Sequence, residues 1–308
     1  MRVCVDIGGT KVAVSLSSDS ESPLFGRVSE PTAKSGASDA VARQVIRLVE
    51  QACAEQGVDP ASISQVGVSS TGPFVLDDGA VELATPNICG GIAGPARGLP
   101  NDWMTAPIET PLATRFGHVR VENDAVAALE AERRWGALQG MDDCAYVTWS
   151  TGVGVGLCVG GRVLRGKNGN AGHAGHSFVS DDADDALCGC GNHGDVEALV
   201  AGNAVARRFG RSAADMFAAA GDGDAEAIET ADALCRVMGR LLYNLIVTLD
   251  LQCVSLGGSV FMHNQDFLLP RLRAQIDGKL EPLTKGVRIV PAGLGEKVGD
   301  YAALALLD

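Results

Sequence analysis

Two glycine-rich turns in the sequence have the composition of phosphate-binding turns. The first is Gly8-Gly9-Thr10-Lys11, after a predicted strand at 2–7, and the second is Ser-Thr-Gly-Val-Gly-Val-Gly at 150–156, after a predicted strand at 143–148. Glycine lets backbone N–H groups approach phosphate oxygens closely, and the nearby hydroxyl and ammonium groups are further donors. Either turn alone would also suit a plain β-hairpin. The two together indicate a site for the phosphates of a nucleotide.

One carboxylate lies between these turns in the sequence, at the junction of a strand and a helix. The apolar residues 119–121 run into Glu122-Asn123-Asp124, and a stretch with helical spacing follows. The carboxyl ends of strands are where open α/β sheets bind ligands. Asp124 is therefore a candidate site residue, although an ordinary helix N-cap would also place an aspartate here.

A third group of residues has the side chains of a metal site. His176, Cys188 and Cys190 are potential soft ligands, and Asp195 or His193 would complete a tetrahedral set. Two structural thiols beside a surface histidine are the alternative. Farther along, Gly257 and Gly258 end a predicted strand, where the backbone could approach the adenosine part of a nucleotide.

The elements around these residues predict two α/β halves. Each glycine turn connects two strands, and each of these β-hairpins leads into a region of strands and helices. This repetition indicates duplicated halves that face one another across a cleft. The remaining predicted elements are helices at 38–56, 196–210, 224–249, 268–276 and 301–307, and strands at 65–69, 253–256 and 287–291.

Length and composition are those of a two-domain globular protein. The chain has 308 residues, 46% of them hydrophobic, and a formal net charge of −13, which argues against non-specific nucleic-acid binding. Its nine cysteines are an odd number and mostly stand singly in apolar runs, which indicates reduced thiols rather than disulfides. No signal peptide is recognisable, and no apolar run reaches the roughly 18 residues of a membrane span. We expect a cytoplasmic protein with no membrane contact.

The ordered motifs of this chain resemble those of the ROK family of bacterial sugar kinases and sugar-responsive repressors. The resemblance extends from end to end of the sequence. The matching residues are Asp6 to Lys11, Thr85-Pro86-Asn87, Glu122 to Ala125, the 150–156 turn, Ala171-Gly172, Gly175-His176, Cys188-x-Cys190-Gly191-x-x-Gly194, Glu197 and Leu256-Gly257-Gly258.

The resemblance implies an actin-like ATPase (ribonuclease H-like) fold with two α/β domains around a nucleotide and sugar cleft. The smaller domain would comprise residues 1–120, completed by a C-terminal helix at 297–308. The larger would comprise 121–296 and carry the zinc-type loop. ATP, Mg²⁺, a structural Zn²⁺, a hexose or sugar-like polyol and a homodimer are implied as well.

The family's site residues carry over position by position. Asp124 would be the general base, and Asn87, Asn123, Asp124, His173 and His176 would contact the sugar. Zinc would be held by His176, Cys188, Cys190 and Asp195. The nucleotide would be held by Gly8, Gly9, Thr10, Lys11, Ser150, Thr151, Gly152, Gly154, Gly257 and Gly258.

Two positions depart from the family pattern. His173 stands where the family usually has a glutamate, and an imidazole accepts one hydrogen bond and donates one, whereas a carboxylate accepts from two hydroxyls. Asp195 stands where the family has its third zinc cysteine, which leaves His193 as a possible substitute ligand. The first departure favours an unusual hexose, an aminosugar, a ketose or a cyclitol as substrate, or only a changed hydrogen bond to the same sugar.

The expected activity is ATP-dependent phosphorylation of a hydroxyl of the 6-position type on a hexose or hexose-like substrate. A catalytically inactive sugar sensor is the alternative, and polyphosphate remains open as the donor. The family's repressors carry a DNA-binding helix-turn-helix before the kinase-like fold. Here the fold begins at Arg2, and the chain is acidic, so we expect no nucleic-acid partner.

Overall fold

The computed structural model describes residues 1–19, 23–94 and 98–307, which form two compact units. The first unit contains Met1–Ala131, Arg165–Ala171 and Lys297–Asp308, and the second contains Glu132–Leu164 and Gly172–Glu296. The expected boundary at residue 120 thus falls inside the first unit, and Asp308 lies outside the described residues.

Strands and helices alternate along much of the chain. The strands are β1 (Arg2–Ile7), β2 (Lys11–Ser17), β3 (Phe25–Pro31), β4 (Gln65–Ser70), β5 (Phe74–Asp77), β6 (Ala80–Leu83), β7 (Ala106–Pro107), β8 (Val119–Asn123), β9 (Cys144–Trp149), β10 (Val153–Val159), β11 (Arg162–Val163), β12 (Cys253–Gly257) and β13 (Arg288–Pro291). The helices are α1 (Ala40–Gln56), α2 (Gly90–Ala93), α3 (Glu109–Phe116), α4 (Asp124–Trp135), α5 (Val196–Val200), α6 (Gly202–Phe209), α7 (Ala213–Gly221), α8 (Ala225–Leu249), α9 (Ser259–Met262), α10 (Gln265–Ala274), α11 (Glu281–Thr284) and α12 (Val298–Ala305).

The five-stranded sheets of the two units have equivalent strand orders. The first is β3-β2-β1-β4-β8 and the second is β11-β10-β9-β12-β13. In each, a three-stranded antiparallel meander is extended by two parallel strands. The two predicted hairpins, β1-β2 and β9-β10, are confirmed, and so is the duplication of the α/β plan.

Two helices of the first unit show how its sheet is covered. The apolar stripe of α1, which includes Val41, Val45 and Leu48, is fully buried. On α12, the carbonyl oxygen of Ala303 would lie 2.1 Å from a Cβ atom added at Gly67 in β4. Only glycine at that position allows the helix backbone to approach the strand so closely.

The segment Arg165–Ala171 belongs to the first unit although the chain on either side of it belongs to the second. Arg165 pairs with the buried Glu122 and with Glu130. The side-chain amide of Asn170 accepts the N–H of Phe74 at 2.8 Å and donates to the carbonyl of Phe74 at 2.7 Å. Polar contacts at both ends thus hold this segment against its unit.

The predicted helix at 196–210 is wrong, because the structure has two helices, α5 and α6, that meet at Ala201. Ala201 has φ −60° and ψ 150°, which is an extended conformation. The N–H of Gly202 donates to the carbonyl of Ser150 at 2.8 Å, and the indole N–H of Trp149 donates to the carbonyl of Val200 at 2.8 Å. Both partners lie at the end of β9, so tertiary contacts break the helix.

Candidate active site

The carboxyl ends of three parallel strands bring one phosphate-type turn and Asp124 to the same edge of the first sheet. Strands β1, β4 and β8 are parallel neighbours, and Ile7, Ser70 and Asn123 are partners across them. Adjacent strands lie about 4.8 Å apart, so the chain leaving Ile7 and the chain leaving Asn123 are roughly 10 Å apart. This edge therefore carries both a phosphate-type turn and a carboxylate.

Hydrogen bonds fix the shape of the first turn. The N–H of Gly8 donates to the carbonyl of Lys11 at 2.8 Å, and the Thr32 hydroxyl donates to the carbonyl of Gly8 at 2.7 Å. Gly9 and Thr10 lie between these anchors. The side chain of Lys11 is exposed beside them.

Asn87 packs directly against this turn. A Cβ atom added at Gly9 would lie 2.6 Å from the Cβ atom of Asn87. The side chain of Asn87 is exposed, whereas Thr85, two residues earlier, is buried. The structure thus brings a residue expected to contact the sugar against a turn expected to contact phosphate.

Asn123 and Asp124 share the start of α4. Asn123 is buried, and its side-chain oxygen accepts the N–H of Ala125 at 3.0 Å. Asp124 is exposed, and its Oδ1 accepts the same N–H at 2.8 Å. The capping role that was the alternative for Asp124 is therefore shared with Asn123.

The side chain of Glu197 contacts the second turn. Its Oε2 accepts the N–H of Val153 at 2.9 Å and would lie 2.6 Å from a Cβ atom added at Gly152. The N–H of Ser150 donates to the carbonyl of Gly152 at 2.9 Å. Thr151 and Gly152 lie within this turn, and Gly154 lies in β10 opposite Thr148.

Gly257 and Gly258 lie beside the second turn. Gly257 is the partner of Thr148 in β9, and Gly258 has φ +87°, with Trp149 O only 2.5 Å from an added Cβ. The Ser259 and Ser150 hydroxyl oxygens are 3.1 Å apart. A cavity of 340 Å³ opens next to them, lined by Thr151, Gly202, Asn203, Ala213, Ala214, Ser259, Val260, His263 and Asn264.

The four expected metal ligands form one cluster, with their ligand atoms all within 4.8 Å of one another. Nδ1 of His176 is 3.1 Å from Oδ2 of Asp195 and 3.6 Å from Sγ of Cys188, and Sγ of Cys190 is 3.4 Å from that Oδ2. Ligands around a tetrahedral zinc ion, at bond lengths of 2.0–2.3 Å, are separated by about 3.3–3.8 Å. The donor set and its spacing therefore fit a zinc ion.

The expected alternative ligand does not join this cluster. His193 is exposed, and its Nδ1 lies 3.1 Å from the carbonyl oxygen of Asp185. Within the described residues, the cluster of potential metal ligands consists of His176, Cys188, Cys190 and Asp195.

Protonation in the cluster follows burial and hydrogen bonding. Burial raises the pKa of the Cys188 and Cys190 thiols, and a bound cation would lower it. The hydrogen bond to Asp195 raises the pKa of His176. Burial acts to raise the pKa of Asp195, but hydrogen bonds from His176 and the N–H of Ala198 outweigh it, and the pKa is lowered.

His173 lies next to the cluster. Its ring and that of His176 are stacked, with centroids 6.1 Å apart and an interplanar angle of 28°. His173 starts the single helical turn, Ala174–His176, that carries the metal-ligand histidine. The structure therefore brings these two expected sugar contacts together.

Glu197 contacts two of these sites, and Asp6 precedes the first turn in β1, although the sequence motifs alone assign neither residue a role. Glu197 contacts both the second turn, through Val153, and the metal cluster, because Sγ of Cys188 lies 3.6 Å from its Oε1. Asp6 is a half-buried acid in β1, and its burial raises its pKa. Asp6 could have been found from the sequence as an ionisable residue within a largely apolar strand, two residues before Gly8. Glu197 could be found only as a position of the family motif, which does not indicate what its side chain contacts.

None of the helices among residues 1–19, 23–94 and 98–307 is long and apolar enough to cross a membrane. The longest, α8, has 25 residues.

Comparison with known proteins identifies the family. The sequence pattern of the ROK family matches residues 2–308. The glucokinase of Aeropyrum pernix is 29% identical, over 99% of this chain and 95% of its own length. The N-acetylmannosamine kinase of Shigella boydii serotype 18 is 33% identical, over 84% of this chain and 82% of its own.

A solved structure agrees with these relatives. The ROK hexokinase from Thermus thermophilus superimposes with a TM-score of 0.76 at 32% identity, over 99% of this chain and 97% of that one. The expected actin-like ATPase fold and the expected enzyme class, an ATP-dependent sugar kinase, are confirmed. The chain belongs to the ROK family.

Proposed function

We propose that this protein transfers the terminal phosphoryl group of Mg²⁺-ATP to a 6-position-type hydroxyl of a hexose-like sugar. The observation that carries the proposal is the edge of the first sheet, where the Gly8–Lys11 turn and Asp124 follow neighbouring parallel strands. A phosphate site and a carboxylate in that relation suit phosphoryl transfer to a hydroxyl, which depends mainly on positioning and charge neutralisation.

Asp124 would act as the general base. Its exposed carboxylate at the first position of α4 can accept a hydrogen bond from the attacking hydroxyl and then the proton. Asn87, Asn123, His173 and His176 would be further sugar contacts, as the family resemblance implies. The N–H groups of the two turns would stabilise the phosphates.

ATP is the donor that the second unit favours over polyphosphate. The 340 Å³ cavity beside Ser150 is lined by amide, hydroxyl and imidazole side chains as well as apolar ones. Such a lining suits a purine and ribose, whereas a polyphosphate chain needs only cationic and N–H donors.

We propose N-acetylmannosamine as the sugar, with glucose as the second candidate. The relative named as an N-acetylmannosamine kinase shares 33% identity with this chain, against 29% for the glucokinase. The imidazole of His173 can both donate and accept a hydrogen bond, so it can pair with an amide as well as with a hydroxyl.

We also propose that His176, Cys188, Cys190 and Asp195 hold a structural Zn²⁺. The ion would fix the loop that carries His173 and His176, and it would take no part in the chemical step. Its support is the match between the ligand-atom separations and a tetrahedral site. A homodimer, testable by light scattering, and a cytoplasmic location remain predictions from the family resemblance.

The test is an ADP-release assay with several acceptors and two donors. With ATP, we expect the highest kcat/KM for N-acetylmannosamine, ahead of N-acetylglucosamine, glucose, mannose and a cyclitol; polyphosphate should give no sugar phosphate. His173→Glu should shift the preference toward glucose. Equal or better use of glucose by the unaltered protein would reject the aminosugar assignment. A failure to phosphorylate any acceptor would favour the sugar-sensor alternative.

A further inference from the structure

Asp195 uses its two carboxylate oxygens for two different purposes. Oδ1 accepts the N–H of Ala198 at 2.8 Å and thereby caps the N-terminus of α5. Oδ2 faces the metal cluster, 3.1 Å from Nδ1 of His176 and 3.4 Å from Sγ of Cys190. The side chain is fully buried, so solvent cannot replace either contact.

Neither cysteine nor asparagine at this position can serve both purposes. A cysteine would give the metal a thiolate, but sulfur is a weak hydrogen-bond acceptor, and the cap on Ala198 would be lost. An asparagine would retain the cap, because its side-chain oxygen accepts hydrogen bonds as well as that of aspartate. Its neutral amide, however, is a poor ligand for zinc, which takes thiolate, imidazole and carboxylate.

We infer that Asp195 is at once a ligand of the metal and the cap of α5, so that metal loading and the stability of α5 depend on one side chain. This inference rests on the proposed zinc site. The inference goes beyond that proposal because it explains why aspartate stands where the family has its third zinc cysteine. Asp195 binds zinc more weakly than a thiolate would, but it stabilises α5 before any metal binds. The helix it caps also carries Glu197, which contacts the second turn.

The experiment measures zinc binding and thermal stability separately in the full-length protein. Chelator-stripped protein is titrated with Zn²⁺ alone in competition with a chromophoric chelator, and Tm is recorded for the stripped and the loaded forms. Co²⁺ is a second probe, because its thiolate absorption reports the cysteine ligands. The unaltered protein should bind about one Zn²⁺ per chain and gain thermal stability from it.

The two variants at position 195 should separate the two purposes. Asp195→Asn should lower zinc affinity at least tenfold. It should lower the Tm of the stripped form less than Asp195→Cys does, because it keeps the cap on Ala198 although it gives up the carboxylate's pairing with His176. Asp195→Cys should raise zinc affinity at least tenfold while lowering the Tm of the stripped form by about 2–4 °C, the effect of losing one cap in a domain of this size. If the stripped cysteine variant does not fold, its zinc affinity is taken from Co²⁺ displacement in the loaded form.

Asp224 provides the matched control within the same unit. It caps α8 through the N–H of Ala227 at 2.8 Å and lies outside the metal cluster. Asp224→Cys should lower the Tm of the stripped form and leave zinc affinity within twofold of the unaltered protein. Asp224→Asn should change neither quantity appreciably.

Three results would overturn the inference. They are unchanged zinc affinity in Asp195→Asn, unchanged stability of stripped Asp195→Cys, and the absence of zinc binding by the unaltered protein. The ADP-release assay on the same preparation separates this from the proposed kinase function. Loss of the inference with intact kinase activity leaves the function standing, and normal zinc behaviour without kinase activity removes the function alone.

Discussion

Gly9 and Asn87 are in such close contact that a Cβ atom on Gly9 would lie 2.6 Å from the Cβ atom of Asn87. Such a separation is far below van der Waals contact, so one of the two backbones must move if Gly9 is replaced. Gly9 belongs to a proposed phosphate contact and Asn87 is a proposed sugar contact. The positions of these two contacts therefore depend on each other within the first unit.

Gly9→Ala should therefore impair both substrates. We expect kcat/KM for the sugar to fall at least tenfold and KM for ATP to rise. A tenfold fall corresponds to an increase of about 1.4 kcal/mol in the activation free energy. Steady-state kinetics with each substrate varied in turn will measure this. Gly299→Ala is the control, because a Cβ atom there meets nothing within 4 Å. Kinetics unaffected by Gly9→Ala would show that the turn and Asn87 act independently.

Asp124→Asn should remove the proposed base without disturbing the fold. The amide can still accept the N–H of Ala125, so α4 keeps its cap, but it cannot take the proton of the hydroxyl. We expect kcat to fall about 100-fold or more, with sugar binding measured by calorimetry nearly unchanged. Asp39→Asn is the matched control, since Asp39 lies at the start of another helix of the first unit and pairs with the exposed Arg43. Turnover within a few fold of the unaltered enzyme would eliminate Asp124 as the base.

Glu197→Ala should weaken nucleotide binding specifically. The substitution leaves the N–H of Val153 without its acceptor and lets the second turn relax. KM for ATP should rise about tenfold, the equivalent of one hydrogen bond to a charged group, while KM for the sugar changes much less. Glu197→Gln retains an acceptor oxygen, so its KM for ATP should rise less than threefold. The reverse pattern, with only the sugar KM affected, would contradict the role of Glu197 as a support for the turn.

Glu132 should be critical for stability rather than for catalysis. This buried carboxylate accepts the N–H groups of Ala137, Gly293 and Leu294 at 2.8–2.9 Å and the Ser255 hydroxyl at 3.3 Å. Glu132→Ala should cost about 3 kcal/mol of unfolding free energy, because several buried donors lose their acceptor.

The matching measurement for Glu132 is urea unfolding of three variants. Glu132→Gln keeps one acceptor oxygen and should cost about half as much as Glu132→Ala. The exposed Glu229 on α8 is the control, and Glu229→Ala should change stability by no more than about 0.5 kcal/mol. An equally small effect at Glu132 would mean that the N–H groups find other partners.

Asp6 should make the stability of the protein depend on pH. Burial raises its pKa in the folded state despite the nearby charges of Arg27 and Lys11. The folded protein therefore holds the proton more tightly than the unfolded chain, whose aspartate pKa is about 3.9. This contribution to stability is fully present below about pH 4 and is lost as the pH rises through the folded pKa.

Asp6→Asn removes that contribution. The Tm of the variant minus that of the unaltered protein should be smallest near pH 4 and should increase toward pH 7. Scanning calorimetry across this range, with Asp39→Asn as the reference, will measure the trend. A difference that is constant with pH would rule out titration of Asp6 as its cause.

Features set by neighbouring residues were predictable from the sequence. The glycine turns at Gly8 and Gly152 lie between alternating apolar segments, so both hairpins could be derived locally. The start of α4 at Asp124 follows from Asn and Asp before a helical pattern. The side-chain types of His176, Cys188 and Cys190 likewise indicated a metal cluster.

Features set by distant contacts were not predictable. The break at Ala201 depends on Ser150 and Trp149, about fifty positions away, and local propensity favours a continuous helix there. The support that Glu197 gives to Val153 has the same character. His193 was a reasonable alternative ligand by spacing, but the loop directs its ring toward the carbonyl of Asp185. Each case needs the folded backbone before the side chains can be placed.

The packing of Ala303 on Gly67 has a consequence for the order of assembly during synthesis. The first sheet is translated early, but the helix that covers β4 is encoded after the whole of the second unit. All of the second unit leaves the ribosome before α12 is available. Of the two units, the first is therefore the one whose synthesis begins first and whose packing is completed last.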